Sequence, residues 1–310
     1  MKLGFQKNIS FSGGELMRNL LDEAFDAVSG SSRKQKPEYQ TKIFQLRDIP
    51  GVMRSKLGWP VAASLMERWF NGAPLALPLD VKRSAEGNRL SQLPPALIDE
   101  TIVTMAWALK FSRVKAAVAH LQANWASPAG IGLLKRRIVR ELPQRIGQCW
   151  RFGNLNQPAK VLDDLSQVNF VGVGKTSDPM DDFYGAMGES QLKLAVSGIV
   201  ISSSGVTSVE IDELGFYLRD AYDFNDSSFI SQPLGCWGFN GVECGISTRL
   251  SIEIEDTIAD INPKDAANLK YYVKNSDFQK WRNKNNKGGD FMVVSDVHRV
   301  RLAIPQKFTI

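Results

Sequence analysis

Leu192–Ser203 reads Leu-Lys-Leu-Ala-Val-Ser-Gly-Ile-Val-Ile-Ser-Ser, and after Ser204-Gly205 the chain resumes as Val206–Leu218. Two apolar, β-branched runs on either side of a Ser-Gly turn predict an antiparallel hairpin. Downstream, Ile246–Ile254 alternates as Ile246, Thr248, Leu250, Ile252 and Ile254, while Phe291–Ser295 and Val300–Ile304 add further strand runs. Lys264–Lys284 is the exception, expected to be helical around Ala266, Leu269 and Tyr272. From residue 153 the chain therefore reads as mainly antiparallel β with one helix.

Upstream the period changes to that of helices. Residues 14–29 place Met17, Leu20, Leu21, Ala24 and Val28 on one face, before a Gly30–Lys36 linker. Ile49-Pro50-Gly51 to Gly58-Trp59-Pro60 is a turn-rich approach to a helix with Pro60 in its first turn, Val61, Leu65 and Trp69 inward, and Gly72 as stop. Pro74, Pro78, Pro94 and Pro95 bracket an irregular connector. From Pro95 to Trp150 the pattern is helical throughout, with one stripe of Ile98, Ile102, Met105 and Leu109 and a second of Val114, Val118, Leu121 and Trp125. Ser127-Pro128 then opens a helix carrying Ile131, Leu134, Ile138 and Leu142 before Pro143. The expected class is α+β, divided as 1–56 (helix and linker), 57–152 (helical domain) and 153–310 (β-rich domain). No internal repeat is present.

An apolar fraction of 43% with seven Trp and sixteen Phe indicates packed cores. The net charge of +5 favours anionic partners without choosing among phosphate, membrane surface and nucleic acid. Cys149, Cys236 and Cys244 are odd in number and lack metal-ligand spacing, so they read as reduced residues of a chain made in the cytosol. No run approaches the roughly 20 apolar residues that cross a bilayer. Met1–Gly13 has no apolar core of a secretory signal, so export is expected to use a route that reads none.

The stretch richest in chemistry is Arg219-Asp220-Ala221-Tyr222-Asp223-Phe224-Asn225-Asp226. On a strand, Asp220 and Tyr222 share a face and Asp223 takes the other; a twist or bulge at the strand end would bring Asp223 round. Such crowding is either a solvated rim with an Asx turn or a site for cations and phosphates. Gly172-Val173-Gly174-Lys175-Thr176 imitates a phosphate loop, but Asn169 stands where its first glycine belongs and no good helix former follows. His120 and His298 are too far apart to suggest a zinc motif. His298, close to a strand end, is a candidate general acid or base. In Asp277–Phe291, Lys280, Arg282, Lys284 and Lys287 precede a Gly-Gly turn. They form either a solvated helix end or a cradle for phosphate or diphosphate.

Leu194–Asn225 resembles the catalytic segment of colicin M and related bacteriocins, in which a strand–glycine–strand hairpin leads into an Asp-x-Tyr-Asp motif. The matching residues are Asp220, Tyr222 and Asp223, continued by Phe224 and Asn225. The resemblance implies a β-rich toxin domain that hydrolyses lipid II between undecaprenyl and diphosphate with magnesium. The whole chain is also similar to a bacterial family commonly encoded beside type VI secretion genes. That likeness rests on Ile49-Pro50-Gly51, Tyr222–Asn225, Gln232-Pro233-Leu234-Gly235 and Asn275–Phe278 through Gly288-Gly289-Asp290-Phe291. It implies an antibacterial effector with a secretion-apparatus partner and a cognate immunity protein, made in the cytoplasm and acting in the target-cell periplasm. Colicin M-like toxins carry a His-Arg pair shortly after the motif, where this chain has Phe229-Ile230. His298-Arg299 is a candidate replacement from another strand, and Lys280–Lys287 is an alternative source of cations.

In the chemistry so implied, Asp220 and Asp223 are Mg²⁺ ligands, or one of them handles the water proton. Tyr222 donates to a phosphate oxygen, Asn225 and His298 complete the candidate catalytic set, and Lys280, Arg282, Lys284, Lys287 and Arg299 bind diphosphate. Two other classes stay open: a non-enzymatic adaptor or cargo protein of a secretion system, and a Mg²⁺-dependent nuclease. Nucleic acid is not a partner in the preferred reading.

Overall fold

The computed structural model describes residues 43–83, 89–203, 205–226, 231–243, 252–253 and 269–310. In chain order the helices are α1 (Ile49–Val52), α2 (Pro60–Asn71), α3 (Leu79–Arg83), α4 (Met105–Ala108), α5 (Ser112–Ala123), α6 (Pro128–Glu141), α7 (Ala159–Leu165), α8 (Asp182–Met187) and α9 (Asn275–Asn285). The strands are β1 (Ile98–Asp99), β2 (Cys149–Phe152), β3 (Gln167–Val173), β4 (Ser190–Ser203), β5 (Val206–Tyr222), β6 (Pro233–Gly238), β7 (Gly241–Glu243), β8 (Ile252–Glu253), β9 (Tyr271–Lys274), β10 (Phe291–Val294) and β11 (His298–Thr309). The class is α+β, as the sequence indicates.

The β4–β5 hairpin is the spine, with Cα partners running from Ser203↔Val206 to Gln191↔Arg219 and one register shift at Ser197/Gly198. It organises a seven-stranded sheet in the order β1-β10-β5-β4-β2, with β11 also on β5 and β3 also on β4. A separate four-stranded sheet runs β7-β6-β9-β8. Alternation divides β5 between two cores. Leu214, Phe216, Leu218 and Tyr222 enter the larger one, while Tyr217 enters the smaller one on the opposite face.

The larger core is built by Leu65, Trp69 and Phe70 of α2, Val114, Val118 and Leu121 of α5, Leu134 and Ile138 of α6, and the inward side chains of β2–β5. Full burial of one such Leu contributes about 1.5–3 kcal/mol. Residues on both sides of the boundary expected near residue 152 thus share one core. The smaller core joins Leu77, Leu90, Leu155 and Leu162 to Tyr217, Met292 and Val294. At the start of α2, Asp182 accepts from Ala62 N at 2.9 Å and Val61 N at 3.3 Å, and also from Trp107 Nε1 at 3.0 Å. A carboxylate borrowed from α8 therefore caps α2.

Several local expectations are corrected. The approach to Pro60 is helical: a 3-10 turn Leu46–Asp48 leads into α1 and a π turn Met53–Leu57, because Pro50 suits a first helical turn. The continuous helix expected from Pro95 fails at Ile98, which lies in β1 parallel to β10. Asp99 ends any helical course there by accepting from Thr101 N at 2.9 Å and Ile102 N at 2.8 Å. Tyr272 is in β9, not a helix, because Tyr271 and Val273 alternate into the core opposite Trp237 and Gly235. The helix begins after Lys274, whose N–H donates to Asp277 at 2.8 Å. β11 runs on to Thr309 past Pro305, tolerated beside a register shift between Arg301 and Gln306. The helix expected over 14–29, residues 264–268 of the expected Lys264–Lys284 helix, and most of Ile246–Ile254 fall outside the described residues.

Candidate active site

The Asp-x-Tyr-Asp segment closes β5. Asp220, Ala221 and Tyr222 pair with Val293, Met292 and Phe291 of β10. Tyr222 lies on the larger-core face, stacked on Phe291 at 5.3 Å and edge-on to Phe224 at 5.6 Å. Burial pushes its phenol far above the usual tyrosine range. Asp220, on the same face by alternation, is half-buried. Burial pushes its carboxyl well above the carboxylate range; the Ala221 amide and the Arg219 and Lys82 charges oppose this, and the Asp223 charge adds to it. Among the described residues no side chain forms a hydrogen bond or ion pair with it.

Asp223 behaves differently. Its Oδ2 lies 2.7 Å from Lys82 Nζ of α3, and its Oδ1 accepts from Asn225 N at 3.0 Å, an Asx turn. Arg219, on the opposite face of β5 from Asp220, donates to the Lys82 carbonyl at 3.0 Å. Lys82 is a residue that sequence reasoning missed. It sits in a connector with no local motif, and only the fold carries it to Asp223.

Asn225 and Arg282, 57 positions apart in sequence, meet at Asp290. The carboxylate of Asp290, 1% exposed, accepts from Asn225 Nδ2 at 2.6 Å, Trp69 Nε1 at 2.9 Å, Leu77 N at 3.1 Å and the Arg282 guanidinium. The Gly288-Gly289 turn makes this possible: Gly288 has φ +97°, and a Cβ there would lie 2.6 Å from the Trp69 ring. Phe224 stacks on Phe278 at 3.7 Å, and its carbonyl accepts from Gln279 Nε2 at 2.9 Å. Arg282 is thus a buried structural cation, not a diphosphate ligand. The helical spacing of Phe278 and Arg282 was its available signal. Lys280, Lys284 and Lys287 are exposed, Lys280 near Asp277 at 3.7 Å.

The other predicted residues are elsewhere. His298 is in register with Phe216, four residues before Asp220 and so roughly 13 Å away along the strand. Arg299 is clamped by Glu213, at 2.9 Å from its Nε, and donates to Asn156 as well. It lines a surface groove of about 450 Å³ with Arg151, Asp212 and Arg301. His298-Arg299 therefore does not reach the motif as a replacement pair. Phe229-Ile230 lie outside the described residues.

Asp220 and Asp223 do not by themselves fit a resident Mg²⁺. The metal needs ionised oxygen ligands, whereas Asp220 is held towards its neutral form and Asp223 already carries the Lys82 ammonium. Among the described residues no group of three or more His, Cys, Asp or Glu side chains is arranged to hold a metal ion. The cation paired with Asp223 at this end of the sheet is Lys82. What the residues provide is a proton-holding carboxyl, a phenol and an ammonium–carboxylate pair, a set suited to acid–base chemistry beside an anion.

An α+β chain with a single hairpin spine and an acid–base cluster at its end is the class so defined. The chain belongs to the family described as a family of unknown function, DUF6402, whose model matches residues 44–310. No curated protein and no solved structure matches it. No helix among the described residues is long and apolar enough to cross a membrane.

Proposed function

We propose that the chain is a hydrolase in which Asp220 handles the proton, and that its substrate is a polyprenyl-diphosphate-linked cell-wall precursor of the lipid II type, cut between undecaprenyl and diphosphate. The observation that carries the reading is Asp220 itself. It is a half-buried carboxyl, raised by burial and free of side-chain partners among the described residues, three positions before the Lys82-bound Asp223. A carboxyl held towards its protonated form by burial donates that proton to a departing oxygen, and the resulting carboxylate recovers one from water. Lys82 offers a point charge to the phosphate, and Tyr222, whose phenol stays protonated, is a hydrogen-bond donor.

The substrate comes from the likeness of Asp220-Ala221-Tyr222-Asp223 to the colicin M-like motif. Delivery as an antibacterial toxin to the target-cell periplasm, with a secretion-apparatus partner and an immunity protein, comes from the likeness to a family encoded beside secretion genes. The Mg²⁺ that the same likeness implies finds no fitting ligand set in Asp220 and Asp223, and no step of the proposed reaction runs through it.

The test is expression behind a periplasmic leader. Wild type should lyse cells and release undecaprenol, and a folded Asp220→Asn variant should do neither. Undecaprenol release by purified Asp220→Asn would overturn the reading, and toxicity confined to the cytoplasm with loss of DNA or RNA would replace it with the nuclease. One observation favours a second reading, a non-enzymatic secretion adaptor. Asn225 and Arg282 are consumed by the Asp290 network, so part of the motif is scaffold. Folded protein with Asp220, Tyr222 and Asp223 all changed to Ala that keeps full biological effect would select that reading.

A further inference from the structure

α9 turns one face to the core and the opposite face to solvent. Phe278 and Arg282, one helical turn apart, are both buried. At about 100° per residue, Lys280 and Lys284 lie roughly opposite that pair, and both are exposed. Lys287 is exposed as well, directly after Asn286 takes the backbone into the left-handed region at φ 49°. From Phe278 to Gly289 the sequence holds three lysines, one arginine and no carboxylate. Lys280 has Asp277 at 3.7 Å, a carboxylate that is 5% exposed and already accepts from Lys274 N at 2.8 Å. Among the described residues Lys284 and Lys287 have no carboxylate within ion-pair distance.

The patch continues across Trp281 to Arg47. Trp281 is half-buried, and the exposed Arg47 guanidinium lies 5.4 Å from its ring centroid and 5.6 Å from that of Phe70. Arg47 donates to Asn71 Oδ1 at 3.0 Å, while the carboxylate of the neighbouring Asp48 accepts from Gln45 N at 3.0 Å. The inward side of the same helix closes the end of β5. Phe278 stacks on Phe224, Gln279 donates to the Phe224 carbonyl, and Arg282 meets Asn225 at Asp290. The lysines therefore ride on the helix packed against the segment that follows Tyr222 and Asp223.

We propose that this face is a docking surface for an anionic lipid bilayer, with headgroup phosphates against Lys280, Lys284, Lys287 and Arg47 and the Trp281 indole at headgroup level. Charge complementarity selects the occupant. Each Lys or Arg near an anionic bilayer strengthens partitioning about fivefold, so four of them give half-binding near roughly 1 mM accessible lipid. A tryptophan flanked by cations suits the interfacial zone, where one side of the ring is wet and the other apolar. Ammonium groups act as point charges around which a fluid headgroup layer rearranges, whereas a nucleic-acid strand needs a longer basic and aromatic track. A second copy of the same face would set like charges against each other. The inference rests on the proposed substrate for its purpose, since a polyprenyl diphosphate presents its diphosphate at headgroup level, but not for its charge.

The experiment sediments full-length protein with vesicles of phosphatidylglycerol and phosphatidylcholine, and with vesicles of phosphatidylcholine alone, at low and at high salt. Binding should appear only with phosphatidylglycerol and fade at high salt. Changing Lys280, Lys284 and Lys287 together to Gln should weaken it by on the order of 100-fold. Changing the exposed Lys110, Lys115 and Lys175 to Gln, an equal loss of charge on other parts of the chain, should weaken it by less than about 5-fold. Both triple variants are checked for folding by circular dichroism. Equal sedimentation with the two kinds of vesicle, or equal losses in the two variants, overturns the proposal, as does retention by nucleic acid through the same lysines while vesicles are ignored. The readout needs no turnover. Protein that binds anionic vesicles but releases no undecaprenol leaves the surface standing and overturns the hydrolase. Undecaprenol released from detergent-dispersed substrate by protein that ignores the vesicles does the reverse.

Discussion

Changing Asp290 to alanine removes one carboxylate on which four donors converge: Trp69 Nε1, Leu77 N, Asn225 Nδ2 and the Arg282 guanidinium. The Arg282 charge, 8% exposed, is then buried without a counter-ion. Breaking a buried pair in this way costs about 3–5 kcal/mol. Each orphaned neutral donor adds about 1–3 kcal/mol in isolation, less once water enters the space left by the carboxylate. A loss of about 4–6 kcal/mol is expected, a large part of a typical total of about 5–15 kcal/mol. In urea unfolding followed by circular dichroism, with a slope of about 3 kcal/mol/M, the midpoint should fall by roughly 1–2 M. Much of the loss is the unpaired charge, so adding Arg282→Met should recover at least about 2 kcal/mol of it. A fall of less than about 0.3 M for Asp290→Ala, or strict additivity in the double variant, would refute the account of Asp290 as the buried acceptor hub.

Asp220→Asn should stabilise the protein at pH 7. A carboxyl raised in the folded state binds its proton more tightly there, so its contribution is full below the unfolded value near 3.9 and is lost as pH rises towards the folded value. The Tm gain of the variant should vanish at about pH 3.5, below the unfolded value; a destabilised variant at pH 7 counts against the burial of Asp220. Gly288→Ala, at φ +97° and against Trp69, should lose about 2–4 kcal/mol in the same urea assay, and a neutral result would mean that the turn relaxes away from the indole. His298→Ala should leave any Asp220-dependent release of undecaprenol within about 2-fold of wild type, because His298 is in register with Phe216. A loss of 100-fold would return it to the site.

The hairpin was legible because Leu192–Leu218 buries alternate residues on two different cores, which forces β-branched apolar side chains along nearly its whole length. The faces of Asp220 and Tyr222 followed from the same period. Ile98 was misread because an apolar i, i+4 pair fits a helix as well as a strand end, and what decided it was the Asp99 side chain bonding its own following amides. Tyr272 was misread for want of its partner strand: alternation over four residues is weak until Cys236 and Trp237 are beside it. In the candidate site, Asp220, Tyr222 and Asp223 were visible as a cluster of types. Lys82 was not, because an ion pair between residues 141 apart leaves no trace in either local sequence. Arg282 was visible as a cation, and its burial was marked only by its i, i+4 spacing from Phe278 on the inward face of the helix.

The bond from Trp69 to Asp290 joins residues 221 apart in sequence. During synthesis the helix that carries Trp69 is made well before Asp290, and until Asp290 follows its indole lacks this acceptor. At about 5–20 residues per second that interval is roughly 10–45 s. The intervening hairpin can zip locally in this time, but the long loop that Asp290 closes makes the final clasp a non-local and therefore slow step. A ribosome-bound chain ending before residue 288 should consequently hold the β4–β5 hairpin but lack β10, β11 and the Asp290 seal, with an open aromatic cluster for a chaperone to cover.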